Sequence, residues 1–167
     1  MVGTWVVRLG WFDEDGWIRW MAESNEGSAL IRIGAVAEQI GISERTLRYY
    51  EEFGLVAPSA YSRGGARLYD ARTIGRVSRI RTLQSLMGFN LEEIKDILAA
   101  EDHLDEIRIE YRSASAPKDE LLEDAFRTLQ NLRSKVMEKQ DRLQMFQDDL
   151  QTRLERIQGL IQDKSSK

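Results

Sequence analysis

The stretch "ISERTLRYYEEFGLV", residues 42–56, places Arg45, Arg48, Tyr49 and Tyr50 close together in a chain whose formal net charge is -4. A guanidinium is a planar fork that can grip guanine O6 and N7, or a phosphate, through two hydrogen bonds. The Ser43 and Thr46 hydroxyls at the same end can reach backbone or base edges, and the free N–H groups of a helix start favour a phosphate. A little further on, "SRGGARLY" sets Arg63 and Arg67 on either side of a Gly-Gly pair. That is the composition of a compact cationic hairpin. The chemistry implied is capture of a polyanion, not bond making.

Catalysis has little to draw on. No Ser–His–acid arrangement, phosphate-binding Gly loop or paired carboxylates with an evident pocket stands out, so no catalytic residue is expected and the chain reads as a non-enzyme. With no cysteine and one histidine, thiolate sites, a transition-metal site and a cofactor are not expected. The histidine, His103, stands among Glu101, Asp102 and Asp105 and reads as a solvated side chain.

Those cations matter only if an element turns them outward. Ser43 can cap a helix beginning at Glu44, with Ile42 and Leu47 as a hydrophobic staple and Gly54 as the stop. At about 100° per residue, Arg48 and Tyr49 fall within about 60° of Arg45, while Leu47 and Tyr50 fall on the opposite side. Tyr50 is therefore expected in the core and Tyr49 at a contact surface. Ahead of it, Ile33, Val36, Ala37 and Ile40 form the apolar stripe of a first helix that ends at Gly41. Two helices joined by so short a turn make a helix-turn-helix, whose second helix can enter a major groove. Taken alone, the second helix reads equally well as a solvated face neutralised by Glu44, Glu51 and Glu52. The basic hairpin behind it shifts the balance toward DNA.

The remaining elements follow from periodicity. Asp70 can cap a third helix carrying Ile74, Val77, Ile80, Leu83 and Leu86. Asn90 and Glu93 form a capping box for a fourth, stapled by Phe89 and Ile94. Residues 101–118 read as a linker or short helix ending at Pro117. From 119 to 161 the chain reads as one long helix, followed by a tail at 162–167. Leu122, Leu129, Leu132, Val136, Leu143, Phe146 and Leu150 form a seam in steps of three and four, with Lys139 at one position and a one-residue slip at Leu154. Such a helix would run about 65 Å, and nothing else in the chain could cover its seam, so a second copy is the expected partner.

Charge is divided the same way: residues 1–29 carry a net -3, residues 30–90 a net +4 and residues 91–167 a net -5. Residues 1–29 hold all four tryptophans and no secretory signal pattern. They read as a small hairpin turning at Asp15-Gly16, as an aromatic docking arm, or as sequence upstream of a start at Met21. No apolar run approaches the roughly 18 residues of a membrane span, and the absence of cysteine fits a reducing compartment.

The stretch from Ile33 to Leu98, above all "RTLRYYEEFGL", "GARLY" and "GFNLEEIKDIL", resembles the MerR-type transcription regulators. The resemblance implies a mainly α protein: a winged helix-turn-helix over residues 30–100, followed by a long helix that dimerises as an antiparallel coiled coil. It implies a bacterial, cytoplasmic and nucleoid-associated homodimer on an inverted-repeat promoter site, distorting the DNA, with RNA polymerase as a further candidate partner. Carried over by position, Ser43, Arg45, Thr46, Arg48 and Tyr49 would contact DNA from the recognition helix, and Arg63 and Arg67 from the wing. Ala66 stands where the family usually has an aromatic residue, while Tyr69 matches and should pack beneath the wing. Cysteine-based sensing is excluded, and no small-molecule effector is identified. Two alternatives remain at this level: an architectural or excision-type DNA-binding protein without effector response, and a coiled-coil adaptor that binds protein instead of DNA.

Overall fold

The structure, a computed structural model, describes residues 29–114 and 119–165. The readings of residues 1–28 and of Pro117 lie outside the described residues. Contacts divide the chain into two units, with the boundary between Lys118 and Asp119.

The first unit is the winged helix-turn-helix, and the fold is mainly α. Helix α1 (Ile33–Ile40) buries Val36, Ala37 and Ile40. It ends at Gly41, whose φ of 72° lets its N–H and that of Ile42 both reach the carbonyl of Ala37 at 2.9 Å. A residue with a Cβ adopts that left-handed conformation only at a cost, so glycine sets this turn. Helix α2 (Glu44–Glu52) then starts on the Ser43 side chain, which accepts the Thr46 N–H at 3.0 Å. It closes in a Schellman arrangement: Gly54 has φ 74°, its N–H reaches the Glu51 carbonyl, and the Leu55 N–H reaches that of Tyr50. Leu47 and Tyr50 are buried against the rest of the unit, and full burial of a leucine such as Leu47 contributes roughly 1.5–3 kcal/mol.

A three-stranded antiparallel sheet follows, in the order β1-β3-β2, from β1 (Ile31–Arg32), β2 (Ala60–Tyr61) and β3 (Arg67–Tyr69). Strand β3 is central, pairing Tyr69 with Ile31 on one side and Arg67 with Tyr61 on the other. The β2–β3 hairpin was expected; β1 was not, because "IR" merges into the α1 stripe in the sequence. At the hairpin tip the Gly65 N–H bonds the Ser62 carbonyl and Gly65 takes φ 78°, a turn followed by a left-handed residue.

Helix α3 (Ala71–Ser85) is capped by Asp70 and buries Val77, Ile80 and Leu83. Leu86, expected on that stripe, is instead the residue that ends the helix and is 74% exposed. Helix α4 (Leu91–Ser113) begins with the expected capping box of Asn90 and Glu93. It does not stop near residue 100. The expectation of a linker or short helix over 101–118 is corrected for residues 101–113, which continue α4. Ile94, Ile97, Leu98, Glu101, Leu104, Ile107 and Arg108 form one buried stripe, and its two charged members hid it in the sequence.

The second unit is helix α5 (Asp119–Ser165), a single 47-residue helix of about 70 Å. It absorbs the start of the expected 162–167 tail, because neither glycine nor proline follows Gly159. Along it Leu122, Leu129, Val136, Leu143, Phe146 and Leu150 are all exposed, as are Leu154, Ile157 and Ile161. Leu132 and Lys139 are half-buried. Among the described residues, no helix is long and apolar enough to cross a membrane.

Candidate nucleic-acid interface

Helix α2 presents its side chains as the angular sorting expects. Leu47 and Tyr50 turn inward, with the Tyr50 hydroxyl donating to Gln84 Oε1 at 2.7 Å, while Arg45, Arg48, Tyr49 and Glu52 are exposed. Burial raises the Tyr50 phenol above its usual range, partly offset by Arg81. Arg45 makes no ion pair among the described residues. Arg48 meets Glu44 one turn back at 3.0 Å, with both side chains about half exposed (52% and 47%). An exposed pair of this kind is worth about 0–1 kcal/mol, so Arg48 can leave Glu44 for a stronger anion at little cost.

The start of α2 differs from the sequence reading in detail. The Ser43 and Thr46 hydroxyls lie 2.8 Å apart and bond each other, besides the cap to the Thr46 N–H. Their first task is holding the helix start. Tyr49 extends outward at 51% exposure and contacts Phe53, with ring centroids 6.1 Å apart. Lys95, from the first turns of α4, sits over the Phe53 ring at 5.9 Å and so brings another cation beside this aromatic pair. Lys95 escaped the sequence reading because a tertiary contact, with no local signal, places it there.

The hairpin is tied to α2 by one carboxylate. Glu51, 10% exposed at its side chain, receives Arg67 Nε at 2.9 Å and the Tyr69 hydroxyl. Tyr69 is fully buried beneath the wing, as expected. Burial, with the Glu51 carboxylate behind it, raises the Tyr69 phenol far above its usual range, so the hydroxyl remains a donor. Arg67 thus holds the wing through Nε while 43% of its side chain stays exposed. Arg63 stands exposed near the hairpin tip and makes no ion pair among the described residues. Ala66 is half-buried, its N–H bonding the Ser62 hydroxyl at 3.0 Å.

Three other arginines of the basic middle are engaged by the protein itself, while Arg32 and Arg72 are exposed. Arg76 binds the Leu55 carbonyl through Nε at 2.7 Å and Asp102 through Nη1 at 2.7 and 2.9 Å. Arg79 pairs with buried Glu101, Nη2 to Oε1 at 2.5 Å. Arg81 donates to the Ile40 carbonyl and closes the end of α1. The acids that answer Arg76 and Arg79 lie on α4, beyond residue 90, so the +4 count for residues 30–90 overstates the free positive charge. What remains outward lies on α2 and the wing, with Arg32, Arg72 and Lys95 exposed besides. His103 lies 3.9 Å from Glu106, and Glu101 and Asp102 belong to the α3–α4 contact.

The chain is similar to known proteins over this stretch. The MerR HTH family regulatory protein profile matches residues 31–101. Nodulation protein NolA of Bradyrhizobium elkanii is 38% identical over 98 residues, covering 54% of this chain and 44% of that protein. The heavy metal-dependent transcription regulator 2 of Rhizobium meliloti (strain 1021) is 30% identical over 112 residues, covering 61% of this chain and 74% of that one. A solved MerR family transcriptional regulator from Listeria monocytogenes superposes with a TM-score of 0.47 at 24% identity, covering 74% of this chain and 83% of that one. The chain thus spans less than half the length of the NolA protein it matches.

Proposed function

The chain belongs to the MerR HTH family of regulatory proteins, and on that premise we propose that it is a DNA-binding transcriptional regulator acting as a homodimer. The observation that carries the reading is the outward cationic face of α2 beside a hairpin fastened to the same helix through Glu51. Arg45 and Arg48 reach base edges or phosphates in a major groove; Tyr49 sets register against the backbone. Ser43 and Thr46 hold the helix start and offer its N–H groups to a phosphate. Arg63 and Arg67 clamp the flanking backbone, Arg67 with the Nη groups left over from its contact with Glu51.

The exposed apolar seam of α5 supports pairing of two copies. A two-fold dimer reads two half-sites of opposite sense, so the target is an inverted repeat in a promoter, with half-sites on successive major grooves. Bending or twisting between the half-sites would place the regulator's effect on RNA polymerase at the level of promoter shape. Selection from random duplex DNA followed by footprinting tests the reading. An inverted repeat with two protected half-sites and a distorted centre is expected. A single asymmetric site would remove the dimer reading, and a lack of any salt-dependent retardation would remove DNA binding itself.

A further inference from the structure

We infer that Tyr61 is a DNA-backbone contact on the side of the wing that faces the recognition helix; the inference rests on the DNA-binding reading above. Tyr61 belongs to β2, an outer strand of the sheet, and is the direct cross-strand partner of Arg67. Directly opposed residues of an antiparallel pair share a face, and so do alternate residues of one strand. Tyr61, Arg67 and Tyr69 therefore lie on the same face of the hairpin. Arg67 and Tyr69 both end on Glu51 of α2, so this face is turned toward the recognition helix.

The three side chains differ in what they still have to offer. Tyr69 is buried with its hydroxyl on Glu51. Arg67 has its Nε on the same carboxylate at 2.9 Å and keeps only its Nη groups. Tyr61 is 64% exposed, and its hydroxyl has no hydrogen-bond partner among the described residues. It is a neutral donor held by a strand next to a helix whose free face is cationic. A phosphate oxygen accepts from such a phenol, and the flat ring covers the adjoining sugar, a mode in which tyrosine positions a protein on the duplex without reading sequence. An exposed tyrosine on an outer strand is unexceptional by itself. Its register against Arg67, and the orientation of that face by Glu51, give this one a destination.

The test compares wild-type protein with Tyr61→Phe and Arg63→Ala on two probes, a duplex enriched by selection and a random-sequence duplex, across a salt series. Loss of one hydrogen bond to an anionic acceptor should weaken Tyr61→Phe roughly ten- to a hundredfold on both probes. The slope of log K against log salt should stay at the wild-type value, because a phenol displaces no counterion, whereas Arg63→Ala should lower it. Replacing single phosphates of the selected duplex by methylphosphonate should reveal one position per half-site that weakens wild type but not Tyr61→Phe. If Tyr61→Phe binds both probes as tightly as wild type, the assignment falls while DNA binding stands. If wild type retards neither probe, the DNA-binding reading falls and this one with it.

Discussion

Arg48 and Arg67 both sit beside a glutamate, yet the two pairs predict different behaviour. The Arg48–Glu44 pair is half exposed on both sides and lies along one helix, so it restrains Arg48 weakly. Arg48→Ala should cost about 1–3 kcal/mol of specific binding if the side chain reads a base, with sequence choice relaxed at one position of each half-site. Competition binding against duplexes varied at that position measures both quantities. Arg67 is held by a nearly buried carboxylate that also accepts the Tyr69 hydroxyl. Arg67→Ala should weaken binding to all duplexes and lower the salt slope by about 1, the signature of a phosphate contact. Glu51→Ala should instead leave the buried Tyr69 hydroxyl without its acceptor and lower folding stability by roughly 1–3 kcal/mol in urea titration. An Arg67→Ala protein with the wild-type salt slope would show that Arg67 serves only to hold the wing.

Individual helices here are specified by their ends, and α3 makes the case most sharply. Asp70 accepts the Thr73 N–H at 2.8 Å, while its own N–H bonds Ser59. Burial alone would raise the Asp70 carboxyl, but the hydrogen bonds from Thr73 and Ser59 outweigh it and hold it below the usual carboxylate range. A carboxyl lowered in the folded state adds stability above its unfolded pKa and loses it as pH falls through the folded value. Asp70→Ala should cost about 1 kcal/mol at neutral pH, and the difference from wild type should shrink on acidification, as denaturant midpoints at several pH values would record. Such caps are local, which is why Ser43, Asp70, Asn90 and Glu93 were legible in the sequence, together with Gly41 and Gly54 as stops. The face of α2 was legible for the same reason, since 3.6-residue periodicity separates Tyr49 from Tyr50. What escaped depends on partners far away in the chain. The continuation of α4 was hidden because Glu101 and Arg108 occupy core positions, one answered by Arg79 and the other by Asp105. Glu51 as the tie between helix and wing, and Lys95 beside Phe53, likewise have no signature within a few residues of themselves.

For the molecule as a whole, the exposed seam of α5 is the feature that one chain leaves unanswered. Leu129, Val136, Leu143, Phe146 and Leu150 recur in steps of three, four and seven, and each is at least 42% exposed. A 3.5-residue repeat of that kind is covered by a partner helix in a coiled coil. At Leu154 the step is four where three would keep phase, a slip that locally unwinds a supercoil, so pairing should be tightest before it. In such a pair Lys139, at a seam position, would reduce stability and favour one register over others. Sedimentation of the wild-type protein should therefore give twice the chain mass. Leu143→Asp, which places a charge in the middle of the seam, should shift it toward monomer. Lys139→Leu should raise the unfolding temperature of the dimer. Binding should follow assembly, because each half-site gains from its tethered neighbour through effective concentration, a factor of about 10²–10⁴. Leu143→Asp should thus lose affinity for an inverted repeat by a factor in that range while keeping its weak affinity for a single half-site. If Leu143→Asp remained dimeric and bound the repeat like wild type, the seam would not be the dimer contact. The two recognition helices would then have to be held together by residues of the first unit.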